Sequence, residues 1–109
     1  MVQESSPPPE PLRPLVFRIL LLLNESERHG YGIMKEVNAR AGRSLILGPA
    51  TLYRTLKQLR DDGLISEKVT GDDRRRVYQL TEAGRSTARA EAERMSVLVD
   101  RAREGRLIG

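Results

Sequence analysis

This 109-residue chain has no cysteine and no tryptophan, one histidine, and one phenylalanine beside three tyrosines. Without cysteine there is no disulfide framework, no thiol nucleophile and no thiolate metal site. With His29 as the lone histidine, a Ser-His-Asp arrangement, a multi-histidine metal site or a zincin helix lacks its partners. The carboxylates stand as Glu25/Glu27, Asp61/Asp62, Asp72/Asp73 and a scatter along the last third, beside loops or basic residues rather than in a catalytic frame. The chain therefore does not read as an enzyme, and nothing in it asks for a cofactor or a metal. Phe17, Tyr31, Tyr53 and Tyr78 are too few and too scattered for the stacking platforms of single-strand and RNA readers. The longest apolar run, residues 19–23, falls far short of the roughly 18 to 20 residues that span a bilayer, and it lacks the flanks of a signal peptide. The expectation is a soluble, cytoplasmic protein with no membrane partner.

At 12.3 kDa the chain can hold one modest core, burying roughly two-thirds of its unfolded surface, and would gain from association. The formal charge is +4 and the sequence pI about 10.0. The excess is spread thinly. Between residues 49 and 80, Arg54, Lys57, Arg60, Lys68, Arg74, Arg75 and Arg76 face Asp61, Asp62, Glu67, Asp72 and Asp73, a net of only +2. A basic pI alone therefore does not identify a nucleic-acid binder; placement of the charges has to do so.

Residues 1–11 hold Pro7, Pro8, Pro9 and Pro11 among polar neighbours and read as a disordered or polyproline-like tail, with a proline-rich ligand for a partner groove as the alternative. Pro14 suits a first helical turn, and the helix it opens is apolar all round except at Arg18, so both of its sides require cover. Apolar residues then recur at Ile33, Met34, Val37 and Ala41, an amphipathic second helix with Gly42 as its terminator. Residues 43–47 are a short connection, with the apolar Leu45, Ile46 and Leu47 open to a one-strand stub. Gly48-Pro49 starts a third helix with Leu52, Leu56 and Leu59 at i, i+4 and i+7, ended by Asp61-Asp62-Gly63. Residues 64–70 and 74–80 flank Gly71-Asp72-Asp73 and form a hairpin, with Ile65 and Val69 on one face and Tyr78 and Leu80 on another. Thr81 is an N-cap, with Glu82 in the first turn, for a last helix reaching about Glu104.

A helix pair followed by a hairpin with a basic tip is the layout of a winged helix-turn-helix, mainly α with a small β-hairpin. Helical steps of about 100° from the Leu52/Leu56/Leu59 stripe put Ala50, Arg54, Lys57 and Gln58 opposite it, with Thr51 and Tyr53 flanking. Arg54 and Lys57 suit guanine N7/O6 or phosphate, Gln58 suits adenine, and Thr51 or Ala50 suits a thymine methyl. Taken alone, that face is also what any amphipathic helix shows to water. Arg74, Arg75 and Arg76 suit phosphates or a minor groove, or else they pair locally with Asp72 and Asp73. Helix and wing in this order argue for DNA more strongly than either does separately.

Four blocks then carry a family likeness: residues 29–33 (HGYGI), residues 48–59 (GPATLYRTLKQL), residues 62–65 (DGLI) and residues 75–84 (RRVYQLTEAG). In this order and spacing they resemble the PadR family of bacterial transcriptional regulators, over about residues 14–100. The resemblance implies a winged-helix domain, a homodimer held by the C-terminal helix, and repression relieved by an effector. It also implies that Tyr31 and Tyr53 touch DNA backbone or bases and that Arg74 to Arg76 make the wing contact. The single helix after the wing is similar to that of the family's smaller members.

The division expected is a tail at 1–11, a DNA-binding winged helix at 12–80 and a dimerisation helix at 81–109. In the last helix Ala88, Ala92, Met95, Val99 and Ala102 are spaced four, three, four and three, with Leu98 beside them. The stripe reads either as intramolecular core or as a dimer seam; because the first helix lacks a wet face, Leu15, Ile19 and Leu22 join it in the expected interface. Two recognition helices so related would read half-sites ~34 Å apart on a near-palindromic operator. Phe17, Met95 and Leu98 are candidate lining for a small hydrophobic or aromatic effector, with core packing as their other role, and His29 reads as a turn residue near the DNA backbone. The competing reading is a winged-helix protein-interaction module without specific DNA binding.

Overall fold

The computed structural model describes residues 12–41, 46–71 and 75–109. The proline-rich tail, Gly42, most of the 43–47 connection, Asp72, Asp73 and Arg74 lie outside the described residues. The elements run α1 (Pro14–Glu25), β1 (Arg28–His29), α2 (Gly30–Ala41), α3 (Pro49–Asp61), β2 (Ile65–Thr70), β3 (Arg75–Leu80) and α4 (Glu82–Glu104). Four helices surround a three-stranded antiparallel sheet of order β1-β3-β2, a winged helix as the sequence led us to expect.

Proline starts both α1 and α3, where its missing N–H costs nothing. α3 ends at Gly63, whose φ of 78° admits the left-handed cap. There the Leu64 N–H donates to the Leu59 carbonyl (2.9 Å) and the Gly63 N–H to that of Arg60 (3.0 Å), a Schellman closure that turns the chain directly into β2. Thr81 caps α4 as expected. Its Oγ1 accepts from the Gly84 N–H (3.0 Å) and donates to the Gly63 carbonyl (2.7 Å), tying the end of α3 to the start of α4.

Ile19, Leu20, Leu22, Ile33, Leu52, Leu56 and Ile65 are fully buried, and Leu23, Val37, Leu47, Leu59, Tyr78 and Ala88 complete most of the core. Burying a side chain of leucine size contributes roughly 1.5–3 kcal/mol, so the α3 stripe alone anchors that helix firmly. Thr55, buried beside the stripe, satisfies its hydroxyl by donating to the Thr51 carbonyl (2.7 Å). Asn38 holds the approach to α3: its Oδ1 accepts from the Leu47 N–H (2.7 Å) and its Nδ2 donates to the Leu47 carbonyl (3.1 Å), in the manner of a strand partner.

Three expectations change. The third strand does not include Ile46 or Leu47, and Leu45 lies outside the described residues; Arg28–His29 pairs with β3 instead, Arg28 opposite Tyr78 and His29 opposite Val77. His29 is thus a strand residue rather than a turn residue. The hairpin faces also differ, because residues opposed in an antiparallel ladder share a face. Ile65 opposes Leu80 and Val69 opposes Arg76, so Ile65, Val69, Tyr78 and Leu80 lie on one face, with Val69 exposed near the wing tip and Val77 buried on the other. Finally, Ile19 and Leu22 are sealed inside the single chain at 0% and 2% exposure, as is Ala88. They are covered by the chain's own packing, α1 against α2 and α4, so their burial needs no second subunit.

Candidate nucleic-acid interface

With Leu52, Leu56 and Leu59 turned inward, α3 presents Ala50, Thr51, Tyr53, Arg54, Lys57 and Gln58 to solvent. Three of these side chains have partners on α3 or its C-cap. Arg54 Nη2 reaches Thr51 Oγ1 at 3.5 Å, Lys57 Nζ donates to Asp61 at 2.8 Å, and Gln58 Nε2 donates to Asp62 at 3.1 Å. The Lys57 ammonium holds the Asp61 carboxyl below its ordinary range, chiefly through that hydrogen bond. These are exposed i, i+3 and i, i+4 contacts, weak enough to be exchanged for a stronger acceptor such as a phosphate or a base edge.

The same side of the molecule collects the other expected residues. Tyr31, exposed at the first turn of α2, Tyr53 from α3 and Arg75 and Arg76 from the wing surround one recess of about 390 Å³ together with His29, Gly30 and Tyr78. The Tyr78 phenol forms its inner wall, and burial pushes its pKa up. His29 Nδ1 lies 3.4 Å from the Arg76 carbonyl, joining β1 to the wing strand beyond their backbone ladder.

Two contributors escaped the sequence reading. Glu67 on β2 pairs with Arg60 at the end of α3 and with Arg76 on the wing (3.1 Å), its side chain only 13% exposed between them. This carboxylate braces the wing against α3. Gly30 carries the Tyr53 ring directly over its α-carbon, so closely that an added Cβ would meet Tyr53 Oη at 2.7 Å. Neither role has a local signature, because each depends on a partner from another element.

The stripe on α4 divides. Ala88 belongs to the core, whereas Ala92, Met95, Leu98 and Val99 are exposed and Ala102 is half-buried; Leu15 is half-buried against the core. Leu21 on α1 is 42% exposed and borders the same region. A second recess of about 390 Å³ runs between α1 and α4, lined by Leu12, Pro14, Phe17, Arg18, Leu21, Glu91, Arg94 and Met95. It brings Phe17 and Met95 together, as expected of a ligand groove, but Leu98 is not in its wall. Glu91, missed in the sequence, is a buried carboxylate held by Arg94 at 2.6 and 3.1 Å; the Arg94 hydrogen bonds keep its carboxyl below the ordinary range. Among the described residues no group of three or more His, Cys, Asp or Glu could hold a metal ion, and no helix is long and apolar enough to cross a membrane.

Comparison with known proteins points the same way. The model of the transcriptional regulator PadR-like family matches residues 19–90. A transcriptional regulator of Mycobacterium tuberculosis, Rv3488, is 42% identical over 64 residues, 57% of each chain, and an uncharacterised protein of Lysinibacillus sphaericus is 31% identical over 71 residues, 62% of this chain and 65% of that one. The matched stretch thus spans less than two-thirds of the length of these curated relatives. Among solved structures, Bacillus subtilis PadR in complex with operator DNA is 28% identical, with a TM-score of 0.65 over 72% of this chain and 46% of that one. A PadR family transcription regulator from Clostridium difficile shares the fold at a TM-score of 0.72, 23% identity, 83% of this chain and 95% of that one.

Proposed function

The chain belongs to the PadR-like family of transcriptional regulators, which are not enzymes, and from that premise we propose that it is a homodimeric, sequence-specific repressor of transcription that binds duplex DNA and is relieved by a small-molecule effector. The observation that carries the DNA reading is the convergence of Tyr31, Tyr53, Arg75 and Arg76 on one recess beside the polar face of α3. In this reading α3 enters the major groove, with Arg54, Lys57 and Gln58 at base edges and Ala50 and Thr51 against thymine methyls. Tyr31, Tyr53 and the wing arginines hold the backbone. That the Bacillus subtilis relative was solved on operator DNA supports this assignment.

The dimer is proposed through the exposed part of α4, with Ala92, Met95, Leu98, Val99 and Ala102 meeting their counterparts and Leu15 and Leu21 of α1 at the margin. A large apolar strip left open by the chain's own packing supports it. Two-fold symmetry then places the recognition helices on half-sites ~34 Å apart in a near-palindromic operator. The groove holding Phe17 and Met95 is the proposed effector site; a hydrophobic or aromatic guest there would shift α1 against α4 and put one helix out of register. The division into a DNA-binding unit at 12–80 and a dimerisation helix at 81–109, and a cytoplasmic location, belong to the same proposal.

Selection from random duplexes with the full chain, followed by mobility-shift titration across salt, tests it. The expected result is tight binding to a near-palindromic sequence with a steep negative salt slope. Equal affinity for a scrambled duplex would overturn the sequence-specific claim, and no salt-dependent DNA affinity would favour a protein-interaction module.

A further inference from the structure

Tyr53 departs from its neighbours on α3. It belongs neither to the buried leucine stripe nor to the freely hydrated face. Its ring is half-exposed, and its covered side rests on the first residue of α2. That residue is Gly30, itself buried. A Cβ built there would lie 2.7 Å from Tyr53 Oη, 2.9 Å from Cε1 and 3.0 Å from Cζ, the first two closer than real Cβ atoms come, so the Tyr53 side chain would have to swing away. Backbone conformation does not require glycine at this position, because the positive-φ glycines among the described residues are Gly63 and Gly71. By contrast, a Cβ at Gly32, two residues on, would meet nothing within 4 Å. What the missing side chain at position 30 provides is a seat for the phenol.

We infer that Gly30 is a positioning residue for DNA recognition: it lets the Tyr53 ring, hydroxyl included, dock on the start of α2, so that the phenol is already held in the wall of the recess shared with Tyr31, Arg75 and Arg76 before a duplex arrives. A half-exposed tyrosine without such a seat samples several rotamers, and immobilising it would have to occur on binding. Pre-ordering the ring removes that cost from the association step. The inference rests on the DNA reading given above and concerns one contact within it.

The test uses the full chain and a duplex selected by the unmodified protein from a random pool. Gly30→Ala should weaken binding about two- to tenfold, the range that corresponds to immobilising one side chain, while the melting temperature stays at the wild-type value. In a Tyr53→Ala background the same Gly30→Ala change should have no further effect on affinity. Fluorine NMR of 3-fluorotyrosine protein supplies a readout of the ring itself: the Tyr53 resonance, assigned by its loss in Tyr53→Phe, should move in Gly30→Ala while that of Tyr78 stays. Wild-type affinity in Gly30→Ala, an unmoved Tyr53 resonance, or an equal loss with and without Tyr53 would each overturn the inference while leaving DNA binding intact. Failure of the unmodified protein to select any duplex would overturn both.

Discussion

α3 and α4 carry the same kind of sequence pattern and put it to opposite uses. In α3 the leucines at 52, 56 and 59 are almost completely covered by the rest of the chain, so the helix is pinned on one side and its polar side is held outward at a defined angle. In α4 only the first half is anchored, through Gly84, Ala88 and Glu91; beyond it Met95, Leu98 and Val99 stand open, between 38% and 53% exposed. A covered stripe makes the opposite face a rigid tool. An uncovered stripe leaves the apolar side as the part with unfinished contacts.

The largest effect that can break this contrast is in the core. Leu56→Ala should cost about 2–5 kcal/mol of unfolding free energy, because it leaves a cavity under α3. Leu98→Ala should change the stability of the dilute protein by no more than ~0.5 kcal/mol, yet abolish part of the concentration dependence of stability that the proposed dimer would confer. Denaturant titration at low and high protein concentration reads both. If Leu98→Ala proves as damaging in dilute solution as Leu56→Ala, the two stripes are equivalent and the contrast fails.

The polar sides of the two helices differ as well. Arg54→Ala on α3 should weaken binding to a selected duplex by about 1–3 kcal/mol and relax preference at one base position. Arg101→Ala, equally exposed near the end of α4, should leave affinity unchanged in the same mobility-shift titration. Similar losses from both would mean that only overall charge matters.

The smallest effect is in acid. Each helix holds one carboxylate depressed by a neighbour: Asp61 by Lys57, and Glu91 by Arg94. A depressed folded pKa stabilises the fold above the unfolded value and loses that contribution as pH falls through the folded one. Melting temperature should therefore hold from neutral pH down to about the ordinary glutamate value of 4.5 and decline below it. Glu91→Gln should flatten that decline more than Asp61→Asn, since Glu91 is the buried one of the two.

Much of this architecture was legible because its signals are local. Pro14 and Pro49 open helices, Gly63 closes one, Thr81 caps another, and the leucine period of α3 requires no knowledge of what covers it. The β1 strand was not legible, since two residues, Arg28 and His29, are too short to show alternation and are defined only by their partners Tyr78 and Val77. Ile19 and Leu22 looked available to a partner because α1 is apolar all round; which side its own chain would cover is not encoded in α1 itself. The exposed face of α3 could be read from the wheel, whereas Glu67 as a brace between Arg60 and Arg76 could not, because ion pairs across elements leave no spacing in the sequence.

The amino-acid sequence by itself determined the order and type of nearly all the elements and the family to which they belong, since turns, caps and hydrophobic periods act over a few residues. Tertiary structure alone decided which apolar residues are spent inside the chain and which are left over, and that a bare α-carbon at Gly30 lies under Tyr53. Those outcomes depend on surfaces that meet only after folding, where van der Waals contact between distant residues, not local propensity, sets what fits.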